Sequence, residues 1–459
     1  MRHFTFSLTI LLLAMAATSG QAQTTMVIRG ATLVDGTGRP QINDAVIIIE
    51  GTRIRQVGTG GKTKIPSGAQ VIDARGKFII PGLADMHNHL GNGTFGPGQG
   101  PPDYKKNLAQ LLAWGVTTIF APGFPDVSAF AELKSLSADD AAPYPHFFGA
   151  SRTVGAKGGH GGSQGAYTPE TPDEARAAVR ELKAGNVDGV KLFYDDMTYV
   201  VKKPWPKLKP EVMVAVIDEA HKQGLKAYVH VRILRYAKEV LRAGADVLVH
   251  GIVSDLVDDE FIALMKKNHA VYIANHTMAE AVADMAGWAR RAAAFDDHGL
   301  IAKGVYEVGM NPATLEQWES RLDNLAYLRE HLPVLRANTK RVNDAGILVV
   351  SGSDTGDAGA GVLLGLASQM EPMLLVEAGL TPQEAIKAAT INAARMIGRE
   401  KELGSIEPGK VADLMILDAD PLADIRNIRR IYRVVKGGVI YDPEELLMHN
   451  RKVRVALGK

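Results

Sequence analysis

Short segments in which apolar and polar residues alternate occur near both ends of the chain. Glycine-containing turns separate them, and this alternation is typical of strands with one buried face. The pattern predicts strands at residues 26–28, 45–50, 53–57, 71–73 and 77–80, and again at residues 412–417, 431–435 and 439–441. We therefore expect one small split β-domain, a β-sandwich formed by residues 23–80 and 401–459. Two unrelated β caps are the alternative.

Between residues 81 and 400 the pattern changes to short apolar runs that alternate with helical stretches. This alternation is typical of a parallel sheet whose strands are connected by helices. Eight strands in this region predict an α/β fold, a (β/α)8 TIM barrel. The longest connection, residues 277–346, predicts an extra helical element over the barrel mouth, in which Met278, Met285, Trp288 and Trp318 pack. The predicted strands are residues 83–87, 116–120, 146–150, 189–193, 226–231, 247–251, 270–275 and 347–351, with helices such as 171–184, 210–223 and 258–267 between them.

The first 22 residues have the pattern of a secretory signal peptide. Arg2 is followed by an apolar run at residues 6–17, which is too short to span a bilayer. The small residues Gly20 and Ala22 predict cleavage before Gln23, and an uncleaved anchor is the alternative. No later stretch of the sequence has 18 uninterrupted apolar residues. We therefore expect a periplasmic or secreted protein with no stable membrane insertion after signal removal.

The composition is that of a globular protein, since 46% hydrophobic and 22% charged residues exclude a disordered chain. The 52 Lys and Arg residues are balanced by 51 Asp and Glu residues, so no net charge would recruit nucleic acid. The chain has no Cys, which excludes disulfides, a cysteine nucleophile and thiolate zinc sites. A bound metal would therefore need His, carboxylate or modified side-chain ligands.

Four histidines and one aspartate lie at or near the ends of predicted barrel strands. In TIM barrels the chemistry takes place at the carboxyl ends of the strands. Because alternate residues of a strand face opposite sides, His87 and His89 share the lumen face of the first strand. His230 and His250 face the lumen from the fifth and sixth strands, and Asp354 does so if the extended register of the eighth strand continues. A single strand-end histidine is usually structural, but the shared orientation predicts a metal site.

Lys191 faces the lumen by the same alternation, in the middle of the strand at residues 189–193. A free ammonium beside several histidines around a cation would be strongly repelled. Burial lowers the pKa of a lysine, and the neutral amine can take up carbon dioxide to form a carbamate. That group has one negative charge and two oxygens, enough to bridge two metal ions. A substrate clamp or an ion-pair partner is the alternative role.

Five short motifs follow one another along the chain. They are Ile-Ile-Pro-Gly-Leu-Ala-Asp-Met-His-Asn-His at residues 79–89, the strand lysine Lys191, the strand-end His230, Val-His-Gly around His250, and Ser-Gly-Ser-Asp at residues 351–354. In this order they resemble the amidohydrolase superfamily, in the branch near imidazolonepropionase-like hydrolases and Xaa-Pro or Xaa-Arg dipeptidases. The resemblance covers nearly the whole mature chain, including the split β-domain.

The resemblance implies a centre of two divalent metal ions, with zinc as the expected metal. A carboxylated Lys191 and a hydroxide would bridge the two ions, and the hydroxide would attack the scissile carbonyl. Asp354 would accept the proton of the hydroxide and then deliver it to the departing amine. The implied ligands are His87, His89 and Asp354 for one zinc ion and His230 and His250 for the other.

Six further residues are candidates for contact with a substrate. His160 lies in the glycine-rich loop at residues 155–162, and a mobile loop with an incidental histidine is the alternative. Tyr228 faces inward one step below His230, where it either hydrogen-bonds a substrate carbonyl or fills the core. Strand-end positions suggest four residues that could hold a substrate carboxylate: Arg152, Tyr194, Arg232 and His276.

Together these features predict an exported binuclear zinc amidohydrolase that cleaves an amide-type C–N bond in a small-molecule substrate. A dipeptide or an N-acyl amino acid is the preferred substrate class. The same metal chemistry on a lactone, cyclic imide, carbamate or phosphotriester is an alternative, because fold and ligands do not select the electrophile. A non-catalytic barrel used for binding is an alternative from another class, and homo-oligomer formation is left open.

Overall fold

The computed structural model describes residues 25–90, 103–124, 126–162, 165–296, 311–313, 316, 320, 322–356 and 362–447. The predicted signal peptide, residues 1–22, and Trp318 lie outside these ranges. Within them, no helix combines the length and the apolar character that a membrane span requires.

Strands occur in two parts of the described chain, a sheet built from both of its ends and a central barrel. The strands are β1 (Thr25–Leu33), β2 (Ile42–Glu50), β3 (Arg53–Thr59), β4 (Gln70–Asp73), β5 (Phe78–Pro81), β6 (Leu83–Asp85), β7 (Val116–Ala121), β8 (His146–Gly149), β9 (Gly189–Phe193), β10 (Lys226–His230), β11 (Val247–Val249), β12 (Val271–Ile273), β13 (Val349–Val350), β14 (Leu414–Leu417), β15 (Ile431–Lys436) and β16 (Val439–Tyr441).

The barrel strands β6 to β13 lie at the eight places that the sequence pattern predicts. All their pairings are parallel, β6 to β8 in one group and β9 to β13 in another. Parallel bridges join the two groups at both edges, Val154 with Leu192 and Asn88 with Thr355. The strands therefore run around a closed ring, which confirms a TIM-barrel-like α/β fold.

Helices separate the barrel strands and pack against them through apolar faces. The third, α3, begins with Pro172, and the hydroxyl of Thr171 accepts a hydrogen bond from the N–H of Glu174. Two helices that follow β12 confirm an extra helical element there, and Met278 and Trp288 from it are buried. The principal described helices are α1 (Tyr104–Ala113), α2 (Val127–Leu136), α3 (Pro172–Ala184), α4 (Pro210–Lys222), α5 (Leu234–Arg242), α6 (Asp259–Lys267), α7 (His276–Ala283), α8 (Met285–Phe295), α9 (Leu325–Asp344), α10 (Leu366–Glu377), α11 (Pro382–Ala388) and α12 (Ile391–Met396).

Strands from both ends of the chain lie in one sheet, in the order β16-β15-β14-β5-β1-β2-β3, with β4 beside β1. The link between the ends is the antiparallel pairing of β14 with β5, in which Ile416 lies opposite Ile79. Alternate residues such as Met26 and Ile28 of β1 enter a common apolar cluster with Leu414. The packing of this sheet as a β-sandwich, and the domain boundaries at residues 23–80, 81–400 and 401–459, stay predictions.

Gly82 joins this sheet to the barrel, because it connects β5 directly to β6. A Cβ at this position would lie 2.3 Å from Oγ1 of Thr117 on the neighbouring strand, so the close approach requires glycine. The terminal sheet therefore holds the start of β6, the strand that leads to His87.

Candidate metal centre

His87, His89 and Asp354 form a compact group at the carboxyl ends of the first and last barrel strands. Oδ1 of Asp354 lies 3.1 Å from Nε2 of His87 and 3.1 Å from Nε2 of His89. The two imidazole Nε2 atoms are 3.2 Å apart. Three potential ligand atoms therefore surround one small volume, which is the arrangement that a single metal ion requires.

Asp354 reaches this group through a turn and not through a continued strand. Strand β13 ends at Val350, and Asp354 has a left-handed backbone with φ of +58°. Its N–H donates to the carbonyl of His87 at 2.6 Å. The expectation that the extended register continues to Asp354 is wrong, although the residue arrives at the expected place. His250, with φ of +75°, also follows its strand in a left-handed conformation, which for these residues is an uncommon backbone that functional sites retain.

Asp85 ties together the two turns that carry this group. Its carboxylate accepts hydrogen bonds from the Ser353 hydroxyl at 2.5 Å, the Ser368 hydroxyl at 2.6 Å and the Ser353 N–H at 2.8 Å. It also accepts from the side chain of Asn88 at 2.9 Å and the N–H of His87 at 3.3 Å. Burial raises the pKa of Asp85, and these donors oppose the rise. Asp85 therefore supports the turns that carry the predicted ligands.

Two oxygen atoms orient the imidazoles of His87 and His89. Nδ1 of His87 lies 3.0 Å from Oδ1 of Asn275, and Nδ1 of His89 lies 3.0 Å from the carbonyl oxygen of Gly123. Because both oxygens only accept, each Nδ1 carries the proton, and each Nε2 directs its lone pair toward the group formed with Asp354. Sequence reasoning missed Asn275, which follows β12 with φ of +51°. Its strand-end position was the available signal.

His230 and His250 lie directly beside this group. Their ring centres are 4.3 Å apart, and the ring of His250 is 4.8 Å from that of His87. Oδ2 of Asp354 lies 3.7 Å from Nδ1 of His250, so one oxygen of this carboxylate faces His87 and His89 and the other faces His250. Nδ1 of His230 and Nδ1 of His250 are buried, and neither has a hydrogen-bond partner among the described residues.

Burial sets the protonation of these groups. It lowers the pKa of His87 to about 3 and holds the pKa values of His230 and His250 well below the usual value, so all three imidazoles are neutral near pH 7. Burial alone would raise the pKa of Asp354, but His87, His89 and Lys191 outweigh it and keep the group a carboxylate. Neutral imidazole and ionised carboxylate are the forms that bind metal.

Lys191 is only 1% exposed and lies within β9, opposite Tyr228 of β10. Its Nζ is 5.1 Å from the centre of the Phe193 ring. After burial, the ammonium of Lys191 is among the causes that lower the pKa values of His230 and His250. The structure therefore brings Lys191 into the same buried region as the predicted ligands.

His160 joins the centre from the glycine-rich loop. Its ring centre is 4.6 Å from that of His230 and 4.8 Å from that of Phe193, and Trp205 lies 6.3 Å away. Burial lowers the pKa of His160 to about 4. Tyr199, which sequence reasoning missed, places its hydroxyl 3.3 Å from Nε2 of His230. It comes from the irregular segment after β9, where neither strand period nor motif marks it.

Four of the substrate-contact candidates have partners outside the histidine group. Their roles in substrate contact stay predictions, and for Tyr228 the stacking favours the core-filling alternative. Tyr228 stacks on Phe120 with ring centres 4.4 Å apart, Arg152 lies 4.0 Å from the Tyr167 ring centre, the Tyr194 hydroxyl donates to Glu239 at 2.6 Å, and Nε2 of His276 lies 3.0 Å from Oγ1 of Thr339.

Arg232 differs from these four. It is 3% exposed, and neither Nε nor Nη2 has a hydrogen-bond partner among the described residues. Its backbone N–H donates to Oδ2 of Asp195 at 2.7 Å, and its guanidinium carbon is 5.3 Å from the centre of the Tyr199 ring. Arg232 is therefore a buried cation, and the side chain of Tyr199 lies close to both Arg232 and His230.

The sequence pattern of the amidohydrolase family matches residues 78–441, which include the barrel and every predicted ligand. The chain belongs to the amidohydrolase family. As an amidohydrolase it is a metal-binding hydrolase of carbon–nitrogen bonds. The predicted resemblance is thereby confirmed.

Known amidohydrolases cover almost all of the chain. Ochratoxinase from Aspergillus niger is 25% identical, over 93% of this chain and 88% of its own length. Imidazolonepropionase from Shouchella clausii is 26% identical, over 86% of this chain and 84% of its own length. The crystal structure of a Xaa-Pro dipeptidase with bound methionine superposes with a TM-score of 0.71 at 23% identity, covering 91% of this chain and 100% of that one. The dipeptidase structure therefore has the same fold as this chain.

Proposed function

We propose that the chain is a binuclear zinc amidohydrolase that cleaves the amide bond of a dipeptide or an N-acyl amino acid. The observation that carries the proposal is the convergence of His87, His89 and Asp354, whose facing nitrogen and oxygen atoms are separated by 3.1, 3.1 and 3.2 Å. A single histidine at a strand end would not indicate a metal site. Three matched donors, two of them with fixed tautomers, support a metal ion at this point.

The other donors fit a second ion. His230 and His250 are buried, neutral imidazoles whose Nδ1 atoms have no hydrogen-bond partner in the described part of the chain. Leaving such atoms unsatisfied is costly, and coordination would satisfy one on each ring. We therefore assign His87, His89 and Asp354 to one ion and His230 and His250 to the other.

Carboxylation of Lys191 would complete the centre. As an ammonium, Lys191 is a buried positive charge that opposes protonation of the neighbouring histidines and would also oppose a metal cation. A carbamate replaces that charge with a negative one and adds two oxygen donors. The modification thus turns an unfavourable neighbour of two cations into a ligand that both can share.

When bound, the two metal ions supply an activated water nucleophile and polarise the scissile carbonyl. The chain moves the proton. Asp354 is held as a carboxylate, with one oxygen facing His87 and His89 and the other facing His250. It accepts the proton as water attacks and delivers it to the nitrogen of the departing amine. Because such a carboxylate is a weak base, proton transfer and attack occur together.

Export to the periplasm or the cell exterior is part of the proposal. It is supported by the basic start, short apolar run and small residues of the first 22 positions. Amino-terminal sequencing of the protein recovered from the periplasm or the medium of its host is expected to begin at Gln23. Recovery of full-length protein from the cytoplasm alone would contradict export.

A combined metal and substrate assay tests the catalytic proposal. The purified protein, loaded with zinc and freed of excess metal, is expected to contain about two zinc ions per chain by elemental mass spectrometry. It is then assayed on dipeptides, N-acyl amino acids, lactones, cyclic imides, carbamates and phosphotriesters. Amide hydrolysis by the wild type, with loss of both this activity and the bound zinc in His87→Ala, supports the proposal. Hydrolysis confined to another class would replace the substrate, and absence of zinc and of all hydrolysis would favour the binding alternative.

A further inference from the structure

The hydroxyl of Tyr199 lies between a thioether and an imidazole beside the candidate metal centre. Its oxygen is 3.0 Å from Sδ of Met197 and 3.3 Å from Nε2 of His230. All three side chains are buried, so these contacts form away from bulk solvent. The distribution of protons over the three groups therefore decides which nitrogen of His230 has a free lone pair.

The hydrogen-bonding capacity of each group assigns the proton of His230. A phenol can donate one hydrogen bond and can also accept. A thioether sulfur can only accept, so at 3.0 Å the hydroxyl of Tyr199 donates its proton to Met197. The phenol oxygen is then left to accept a hydrogen bond from Nε2 of His230. The neutral imidazole therefore carries its proton on Nε2 and its lone pair on Nδ1.

The opposite tautomer of His230 would not suit a metal ion. With the proton on Nδ1, the ring would have a buried N–H that finds no acceptor among the described residues. An N–H cannot coordinate, because a metal ion binds the lone pair of an imidazole nitrogen. With the proton on Nε2, the same unpartnered Nδ1 offers a lone pair that an ion can use.

The main chain is fixed on both sides of Tyr199. Before it, Met197 has φ of +62°, an uncommon backbone for a bulky side chain and one that persists where the surrounding contacts hold it. On the other side, Asn324 donates from its N–H to the carbonyl of Val200 at 2.9 Å and from Nδ2 to the carbonyl of Thr198 at 2.8 Å. The phenol is therefore held at a defined position relative to the imidazole.

We propose that Tyr199 is a positioning residue that keeps the proton of His230 on Nε2 and so makes Nδ1 the atom that binds the second metal ion. Met197 takes part, because its sulfur accepts the hydroxyl proton. In His87 and His89 the proton is on Nδ1 and Nε2 faces the centre, so Tyr199 gives His230 the opposite arrangement. This inference rests on the proposed binuclear centre and adds to it the group that orients His230.

Nitrogen NMR of the metal-free protein tests the inference without reference to activity. In protein labelled with 15N-histidine, long-range proton–nitrogen spectra near neutral pH show which nitrogen of each ring carries the proton, and comparison with His230→Gln assigns the signals of His230. The wild type is expected to have the proton of His230 on Nε2. Tyr199→Phe loses only the hydroxyl and is expected to shift His230 toward the Nδ1–H tautomer.

Zinc titration of the same variants gives the second readout. In Tyr199→Phe the affinity for one of the two ions is expected to fall about 10- to 100-fold, and the affinity for the other should stay unchanged. Met197→Leu releases the hydroxyl proton, which can then be donated to Nε2, and should weaken the same ion. Tyr327→Phe is the matched control, because this partly buried tyrosine also lies beside a histidine, His331, and donates to the carbonyl of Ser254 at 3.3 Å. It is expected to keep both wild-type affinities.

The outcomes distinguish the two proposals. If the wild type binds fewer than two zinc ions, the proposed second ion fails, and the inference fails with it. If the wild type binds two ions but carries the proton of His230 on Nδ1, or if Tyr199→Phe keeps the wild-type tautomer and both affinities, the binuclear centre stands and the role of Tyr199 is overturned. Melting temperatures identify any variant that does not fold. Should Tyr199→Phe be one of these, Met197→Leu and the wild-type tautomer decide.

Discussion

Nδ1 of His87 lies 3.0 Å from Oδ1 of Asn275. The amide is itself fixed, because its Nδ2 donates to the carbonyl of Gly352 at 2.5 Å. Asn275 therefore sets the tautomer and the rotation of His87 and directs the Nε2 lone pair toward Asp354. A residue outside the ligand group thus controls one of its members.

Removal of this amide is expected to weaken metal binding. Asn275→Gly suits the left-handed backbone at φ of +51° and deletes the acceptor, so zinc affinity should fall about 10- to 100-fold. Asn275→Asp keeps an acceptor for His87 and should lose much less. Competition with a chromophoric chelator measures both variants. Equal affinities in Asn275→Gly and the wild type would show that His87 is oriented by other contacts.

Asp85 is expected to contribute to stability independently of metal. Asp85→Ala leaves buried donors from Ser353, Ser368 and Asn88 unsatisfied, so the free energy of unfolding should fall by about 2–4 kcal/mol. Ser368→Ala removes one of those donors and should cost only about 1 kcal/mol. Urea unfolding in the presence of a chelator gives both values. A similar loss in the two variants would contradict the central role of the carboxylate.

The sequence predicted the parts of the site that depend on strand period. Alternation along β6, β9 and β10 assigns His87, Lys191 and His230 to the lumen, and the structure brings all three into one buried region. The alternation of residues along a strand does not show how far along the barrel axis each side chain lies. Tyr228 has the same face as His230 but lies deeper, where it meets Phe120.

Residues that reach the site from turns could not be assigned to it by strand alternation. Asn275 and Asp354 have left-handed backbones beyond the ends of their strands, and Tyr199 comes from an irregular segment. Their side-chain directions depend on turn geometry and on hydrogen bonds across the barrel, such as that from the N–H of Asp354 to the carbonyl of His87. These contacts are non-local, so no local pattern contains them.

Carboxylation of Lys191 has a direct spectroscopic test. Protein prepared with 13C-labelled bicarbonate is expected to show a carbamate carbon resonance that is missing from Lys191→Met. In Lys191→Ala the bound zinc should drop to one ion or fewer per chain, because the shared ligand is lost. Full zinc content and full activity in Lys191→Ala would overturn the bridging role.

Glu371 is expected to make the stability of the protein depend on pH. Its oxygens accept hydrogen bonds from the N–H groups of His276 and Thr277 at 2.9 and 2.8 Å, and burial raises its pKa to about 8. The folded protein therefore holds a proton that the unfolded chain releases above its ordinary pKa of 4.5. The stabilisation is complete below pH 4.5 and is lost as the pH rises through 8.

Unfolding of metal-free protein in urea, measured from pH 5 to pH 9, tests this effect. The contribution of Glu371 makes the wild type less stable as the pH rises, and Glu371→Gln, which cannot ionise, should remove that part of the slope. The matched control is Glu377→Gln, at an exposed position six residues further along α10, which should leave that part of the slope in place. An identical pH dependence in Glu371→Gln and the wild type would contradict the raised pKa.

Lys436 is expected to stabilise the junction of the terminal sheet and the barrel without affecting catalysis. It is 0% exposed, and its Nζ donates to the carbonyl of Asp140 at 2.7 Å and lies 3.6 Å from Oδ1 of Asp413. Oδ2 of Asp413 lies 2.8 Å from Nε2 of His146 on β8. Lys436→Met removes the cation from this buried network and should lower the free energy of unfolding by about 3 kcal/mol.

The pair of Lys77 and Asp418 is the matched control. It is also a lysine–aspartate contact, at 2.5 Å, but both side chains are partly exposed, 29% and 47%. Lys77→Met should therefore cost less than about 1 kcal/mol. Because Lys436 lies at the sheet and His87 lies at the opposite, carboxyl end of β6, zinc content and kcat of folded Lys436→Met should match the wild type. Equal destabilisation by the two substitutions would show that burial does not distinguish these pairs.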